Sequence, residues 1–391
     1  MIRVIHYLAN RFKRCFSKIM ASMQTKIKIA IIGSGPAGIA AAAALLNKNP
    51  GLKSDIIIIE KEHHPRPKLC GGGLTPWADE ILDRLDLQVD VPSCPLESIE
   101  FFLHDKPISF ASQQLMRTIR RDEFDAALVQ KIRDRGIKVN EGVKVKDICT
   151  EADDVTLETT AGEIRAEIVI AADGAKSIVR QKLLREDVSR ISRLLEVLIP
   201  INDNELTPEF TDKKAVLDFR AIRAGLQGYI WDFPSYIGGR PFLNVGIFDS
   251  RVNKGTRADL PALLNAHLQR RGFNGNYQLQ GWPERWYHPA QQISCPRVIL
   301  TGDAAGLEPW LGEGISTALS YGPIVADAVI EAIRTGDYSF SNYRIRMKKS
   351  QLGWYLNRKR NVAQLIYRPG FSKFLPAFGR ILSWYMDLRK W

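Results

Sequence analysis

Three glycine-anchored segments follow one another along this 391-residue chain: Gly33-Ser34-Gly35-Pro36-Ala37-Gly38, then Ala172-Asp173-Gly174, then Gly302-Asp303-Ala304-Ala305-Gly306. The first has the spacing that grips a pyrophosphate. Glycine permits a tight turn and close backbone approach, and the unpaired amides of the helix that follows attract the anion. Glu60, with Lys61 beside it, comes 22 residues after Gly38, where a carboxylate accepts hydrogen bonds from an adenosine ribose. Taken together, the three segments describe one FAD cradle.

The elements that must position these residues can be read around them. Residues 28–32 form a buried strand and the small residues 38–46 a helix, with a second apolar run at 55–59. A Pro- and Gly-rich loop (65–76) precedes a helix at 77–85, and another helix spans 121–134, begun at Asp122. Strand patterns cover 143–148, 155–158 and 168–172, the last running into Asp173-Gly174. Residues 97–110 and 190–290 have an irregular, β-leaning texture. The expected architecture is α/β: a discontinuous Rossmann-like FAD-binding domain (25–95, 115–185, 295–340), an inserted mixed β-sheet substrate domain (96–114, 186–294), a basic extension (1–24) and a helical tail (341–391).

Composition narrows the class. With 45% hydrophobic and 25% charged residues the chain can bury two substantial cores. No stretch approaches the roughly 20 apolar residues that span a bilayer. Cysteines at 15, 70, 94, 149 and 295 show neither metal-ligand nor disulfide spacing, which excludes structural zinc and suits a reducing compartment. The net charge of +12 is uneven: seven Lys/Arg and no acid in 1–28, twelve Lys/Arg against Asp387 alone in 341–391, and a middle that is net acidic.

Ile5, Leu8, Phe12, Phe16, Ile19 and Met23 share one helical face, with Arg3, Arg11, Arg14 and Lys18 opposite. That pattern suits an interfacial helix on anionic lipid. A helix packed on the protein, a targeting presequence, or a later start at Met20 or Met23 would give the same pattern. The tail interleaves Trp354, Tyr355, Tyr367, Phe371, Phe374, Phe378, Trp384, Tyr385 and Trp391 with its cations, a membrane-boundary composition. No nucleic-acid-binding motif accompanies the charge. The expectation is a cytoplasmic protein in peripheral contact with a membrane; oligomeric state is not legible.

Two further motifs carry a resemblance. Lys68-Leu69-Cys70-Gly71-Gly72-Gly73-Leu74 and Tyr229-Ile230-Trp231-Asp232-Phe233-Pro234 resemble the Cys-Gly-Gly loop and the Tyr-x-Trp-x-Phe-Pro signature of the geranylgeranyl reductase family, FAD proteins built like p-hydroxybenzoate hydroxylase. The likeness covers roughly residues 27–350; Leu226 and the basic N-terminus depart from the pattern. It implies that Asp303 binds the flavin's ribityl chain, and that Gly312, Gly314 and Ile315 open a helix whose amides face the isoalloxazine. It also implies that Arg121 contacts the dinucleotide and that Cys70, Gly71 and Gly72 approach the flavin. Tyr229, Trp231, Phe233 and Pro234 would line the substrate pocket, with Cys70, Tyr229 and Trp231 nearest the chemistry. Arg180 is left between a donor phosphate and solvent, and His63, His64 and Lys68 read as solvent-facing loop residues.

The implied reaction is saturation of isoprenoid double bonds, with hydride from reduced flavin on a lipid-linked or prenyl diphosphate substrate, and NADPH or ferredoxin as electron donor. Other classes use the same cradle. A flavin monooxygenase or halogenase shares the fold, although a halogenase would carry Trp-x-Trp-x-Ile-Pro where this chain has Tyr229 and Phe233. A membrane-associated electron-transfer flavoprotein would need no small-molecule product.

Overall fold

A computed structural model describes residues 26–184, 190–255, 257–368 and 370–371; the stripe in 1–24, Cys15 and the aromatics from Phe374 onward lie outside them. Among the described residues the strands form two eight-stranded sheets.

The first sheet is nucleated by continuous apolar runs, which mark strands covered on both faces. β1 (Ile27–Ile32) pairs in parallel with β2 (Ile56–Ile59), four buried isoleucines, and with β9 (Gly162–Ala171). β2 continues in parallel to β6 (Lys138–Asn140) and β9 to β16 (Val298–Leu300). β15 (Ser294–Cys295) edges β16, and the antiparallel strands β7 (Val145–Thr150) and β8 (Val155–Thr159) extend from β9. β6 is absent from the sequence expectation because three half-exposed residues carry no alternation to read.

Helix α1 (Pro36–Lys48), buried all round at Ala40 to Ala44, packs against the long helix α7 (Gly314–Thr335). The two come so close that a Cβ on Gly322 would lie 2.5 Å from the Ala40 carbonyl oxygen. α2 (Pro76–Arg84) and α3 (Arg121–Asp134) complete the cover; α3 begins at Arg121, with Arg120 as its N-cap, one residue before the expected start.

The second sheet runs β14 (Gln280–Arg285), β10 (Ile191–Pro200), β13 (Arg240–Asp249), β12 (Gly228–Ile237), β11 (Lys214–Asp218), β4 (Ser93–Phe102), β5 (Pro107–Ile119), β3 (Gly73–Leu74). All its pairs are antiparallel except β11 with β4, so the sheet is mixed, as expected. Along β12 successive side chains alternate between faces: Tyr229, Trp231 and Phe233 share one, Ile230, Asp232 and Pro234 the other. The second face receives α6 (Leu260–Arg270), a helix the β-leaning texture had hidden. There His267 Nε2 meets Asp232 at 2.9 Å, and Arg271 bonds Asp232 at 2.6 Å and Glu209, in the single turn α5 (Pro208–Thr211), at 2.9 Å. α4 (Ile178–Leu183) follows the second glycine segment, and α8 (Tyr343–Lys349) and α9 (Gln351–Ile366) end the described chain. Among the described residues no helix is long and apolar enough to cross a membrane.

Candidate active site

The three glycine segments, far apart in sequence, meet at the carboxyl ends of adjacent strands β1, β9 and β16, where open α/β sheets bind ligands. Gly33 turns at φ +101°, and a Cβ there would sit 2.4 Å from the Ala172 carbonyl oxygen. A Cβ on Gly38 would be 2.0 Å from the Gly33 carbonyl oxygen, and one on Gly302 (φ +58°) 2.5 Å from Ala37 Cβ. These glycines serve the protein's own packing. Gly35 differs: the nearest atom to a Cβ there is Arg66 Nη2 at 3.7 Å, so its missing side chain leaves space in front of α1, whose start at Pro36 has no side-chain cap.

Glu60 accepts hydrogen bonds from Ser34 N and Oγ at 2.9 and 2.8 Å and from Glu62 N at 3.1 Å. Burial raises its proton affinity, but Arg66 and these donors together hold the carboxyl below its ordinary range, keeping it an ionised acceptor. Lys61 stands in solvent, 3.7 Å from Glu62. Arg66 escaped the sequence reading. It is largely buried, 3.4 Å from Asp125, and its Nε has no hydrogen-bond partner. The flanking Pro65 and Pro67 were the available signal, since two prolines stiffen the loop that aims it.

The loop reading of His64 and Lys68 is corrected. His64 is half-buried with Nε2 2.8 Å from Ser34 Oγ, and His63 alone remains exposed. Lys68 packs over the Trp282 ring at 4.8 Å; burial lowers its proton affinity while Asp303 opposes the loss. Arg180 does not face solvent, and its Nη2 has no hydrogen-bond partner among the described residues. It is buried, donating from Nε to the Ala304 carbonyl at 2.8 Å and tying α4 to the third glycine segment. Asp173 accepts from the amides of Ile178 (2.8 Å) and Val179 (3.3 Å), and Gly174 turns at φ +78°; this carboxylate shapes the strand-to-helix turn. Arg121 donates from Nε and Nη2 to Asp125, both at 2.9 Å, an ion pair within its own helix that fixes the orientation of the guanidinium.

Asp303 is half-buried, and its buried Oδ1 has no partner among the described residues. Burial raises its proton affinity, with Lys68, Arg121 and Arg285 opposing; Glu284, raised well above the ordinary range by burial, lies in its field. An unpartnered buried acceptor is what a chain of hydroxyls would satisfy. Past it, Glu308 accepts backbone hydrogen bonds from Trp310 (2.5 Å), Leu311 (2.8 Å) and Glu313 (3.2 Å), coiling residues 308–313 around one carboxylate. Tyr229 Oη donates to the Leu311 carbonyl and Tyr367 Oη to that of Trp310 at 2.7 Å. Gly312 turns at φ +67° against the Phe248 ring. Gly314 and the buried Ile315 then open α7 with no side-chain cap, leaving its first amides and the positive end of its dipole to a ligand.

Across from this loop lie the aromatic residues of β12. Trp231 Nε1 donates to Asn244 Oδ1 at 2.9 Å, and Asn244 Nδ2 donates to the Cys70 carbonyl at 3.1 Å. The Cys70 loop is thereby bolted to the sheet. A Cβ on Gly71 would be 3.0 Å from Phe233 and 3.2 Å from Trp231 Nε1, and Gly72 (φ +77°) is pressed on the Ile119 carbonyl. Cys70 Sγ accepts from Gly72 N at 3.4 Å. Pro234, grouped with the pocket from sequence, falls on the opposite sheet face, where its carbonyl accepts from Thr118 Oγ1.

Residues 26–227, just over half of the chain, match the family described as FAD binding domain. The chain belongs to that family. As an FAD-binding protein it is similar to the digeranylgeranylglycerophospholipid reductase of Thermoplasma volcanium, 29% identical over 80% of this chain and 80% of that one. It is also similar to the menaquinone reductase of Mycolicibacterium smegmatis, 27% identical over 81% of this chain and 79% of that one. Its fold is shared with a geranylgeranyl bacteriochlorophyll reductase-like protein of Thermoplasma acidophilum, with a TM-score of 0.74 at 23% identity, covering 92% of this chain and 91% of that one. The resemblance seen in the motifs and the p-hydroxybenzoate-hydroxylase-like fold both hold, and the chain is an FAD-dependent oxidoreductase.

The site's own geometry fits FAD. There is open space at Gly35 before an uncapped helix, an ionised acceptor at Glu60, a buried unpartnered acceptor at Asp303, and a second uncapped helix start at Gly314. Asp303→Ala should weaken FAD binding about tenfold or more, from the loss of roughly 1.5 to 3 kcal/mol of charge-assisted hydrogen bonding. Titration of the apoprotein with FAD checks this; unchanged affinity would remove Asp303 from the cofactor's contacts.

Proposed function

We propose that the chain saturates carbon–carbon double bonds of an isoprenoid chain carried by a lipid or a prenyl diphosphate, with NADPH or ferredoxin as electron donor. FAD, when bound and reduced, supplies hydride. The observation that carries the reading is the aromatic wall of Tyr229, Trp231 and Phe233, to which Asn244 fixes the Cys70 loop, opposite the 308–315 loop. An isolated alkene is weakly electrophilic, so positive charge develops on its more substituted carbon as it is reduced. Ring faces attract such charge by about 0.5 to 2 kcal/mol each where water is excluded, and Tyr229 and Trp231 are both buried. The Tyr229 hydroxyl, donating to Leu311, holds the loop that leads into α7, whose N-terminal amides favour negative charge. The reductases named above support this reading over oxygen activation.

Reduced protein mixed with geranylgeranyl diphosphate or a prenylated lipid extract under argon should give product gaining mass in steps of two hydrogens while the flavin reoxidises. Reoxidation by oxygen alone would overturn the proposal. Trp231→Ala should keep FAD occupancy and lose about 100-fold in turnover, the scale of a misplaced reacting group; equal loss of FAD would make Trp231 scaffold instead.

The same reading places the protein on a bilayer, where such substrates concentrate. Ile345, Trp354 and Leu365 are large exposed apolar residues on α8 and α9, and Arg358 stacks on Trp354 at 5.3 Å. Trp354→Glu should reduce partitioning onto anionic vesicles about tenfold, the equivalent of roughly 1.5 kcal/mol of apolar burial. Unchanged co-sedimentation would exclude this face.

A further inference from the structure

Saturating a double bond needs a proton as well as a hydride, and two buried carboxyls of the substrate sheet, Glu196 and Glu284, each keep an oxygen without a hydrogen-bond partner among the described residues. Glu196 on β10 is in register with Gly246 on β13, which is in turn in register with Trp231 on β12. Directly opposed residues share a sheet face, so Glu196 projects from the face that carries the aromatic wall. Between them Gly246 has no side chain, and the Trp231 ring occupies the vacated space: a Cβ on Gly246 would lie 2.1 Å from its Cζ2 and 2.4 Å from its Cη2. The ring is thereby drawn toward the strand that carries Glu196.

Glu196 is 4% exposed, and its Oε2 has no hydrogen-bond partner among the described residues. Gln280 opposes it on β14. From the other side it faces the Cys70 amide and Lys68 in the glycine loop and Arg120 and Arg121 at the start of α3. Burial raises its proton affinity and these four groups hold it back, leaving a pKa raised to about 7, where acid and base forms are both populated at neutral pH.

The neighbouring groups are less suited to the transfer. Tyr229 donates its hydroxyl proton to Leu311. Lys68 is turned to Trp282 and the field of Asp303, and Glu284, buried in the field of Asp303 and Glu308, has its proton affinity raised well above the ordinary range. We propose that Glu196 is the general acid that protonates the substrate alkene beside Trp231 and the Cys70 loop. The assignment rests on the isoprenoid-reductase reading. In the balanced step the π bond breaks and two C–H bonds form, one from hydride with its electron pair supplied by the reduced flavin, the other from the Glu196 carboxyl proton. The remaining carboxylate takes a proton from water before the next turnover.

The test mixes the reduced, FAD-loaded protein with geranylgeranyl diphosphate under argon in single turnover, between about pH 5 and pH 9, in H₂O and D₂O. The acid form is the active one, so the wild-type rate should fall as pH rises through about 7 and slow in D₂O. Glu196→Gln should lower the rate by about 10² to 10⁴ and abolish that limb, at unchanged FAD occupancy and unchanged affinity for the saturated product. Glu196→Asp should keep a limb with a displaced midpoint. Difference infrared spectroscopy gives a readout independent of turnover: a protonated-carboxyl band titrating near neutrality in the wild type and missing in Glu196→Gln. A Glu196→Gln protein that keeps both its rate and its pH limb, or a slower one that keeps the limb, overturns the assignment while leaving the reductase reading intact. A wild-type protein that saturates no prenyl substrate overturns the reading itself.

Discussion

Gly38→Ala is expected to give a protein that is both less stable and free of FAD, whereas Gly35→Ala should fold as the wild type does and fail only to hold the cofactor. The two positions belong to one six-residue motif, yet their surroundings differ. A methyl group on Gly38 would lie 2.0 Å from the Gly33 carbonyl oxygen, backbone that cannot yield without moving the turn. Gly33 is itself held at φ +101° against Ala172, and α1 is pinned by α7 where Gly322 meets Ala40. The strain therefore has no soft outlet, and a cost of about 3 kcal/mol or more follows. At Gly35 the same methyl group meets no protein atom closer than 3.7 Å, so only the pyrophosphate is displaced. Thermal unfolding of the two apoproteins, with FAD titration of each, separates the effects. Equal melting temperatures for Gly38→Ala and wild type would refute the packing argument.

Asp232→Ala should cost about 3 kcal/mol, because it removes the shared acceptor of His267 and Arg271 from a buried site and leaves each with one carboxylate, Asp218 and Glu209. Asp232 sits inside the Tyr-x-Trp-x-Phe-Pro signature but on the face away from the aromatic wall, where His267 and Arg271 converge on it. Burial alone would lower the His267 pKa; hydrogen bonds to Asp218 and Asp232 outweigh it and raise the value to about 9. The folded pKa lies above the ordinary 6.5, so this contribution to stability is complete below that value and is lost as pH rises through about 9. Asp218 acts at the other end. Despite burial, hydrogen bonds from His267 and Arg220 hold its carboxyl well below the usual range, so its share is present above about pH 4 and lost on acidification. Denaturant unfolding across pH should show a plateau with an alkaline decline that shrinks in Asp232→Ala. An alkaline limb of the same size in the variant would show that His267 is not held by this carboxylate.

The cofactor grip was legible because its requirements are local. The tight turn at Gly33, the helix after it and the acid at Glu60 lie within one strand-helix-strand unit, where a few residues set backbone geometry. The Tyr229-to-Pro234 signature was legible as a motif, but its division between two faces follows from strand alternation once β12 is placed in the sheet, and that alternation separates Pro234 and Asp232 from the pocket. Arg66, Glu308 and Lys68 were missed or misread because their types and spacing match ordinary loop residues. The pairing of Arg121 with Asp125 and the burial of Arg180 against the Ala304 carbonyl were not legible, because neither partner is marked by sequence spacing.

The sequence by itself determined that the chain binds FAD on a Rossmann-like unit and carries a specific pair of motifs, since glycine sterics and strand and helix periodicity act over a few residues. Only the tertiary structure decided which carboxyls are buried without partners and which side chains face one another. Those properties depend on dielectric and on neighbours brought together from positions more than a hundred residues apart, as the Cys70 loop is bolted to Asn244.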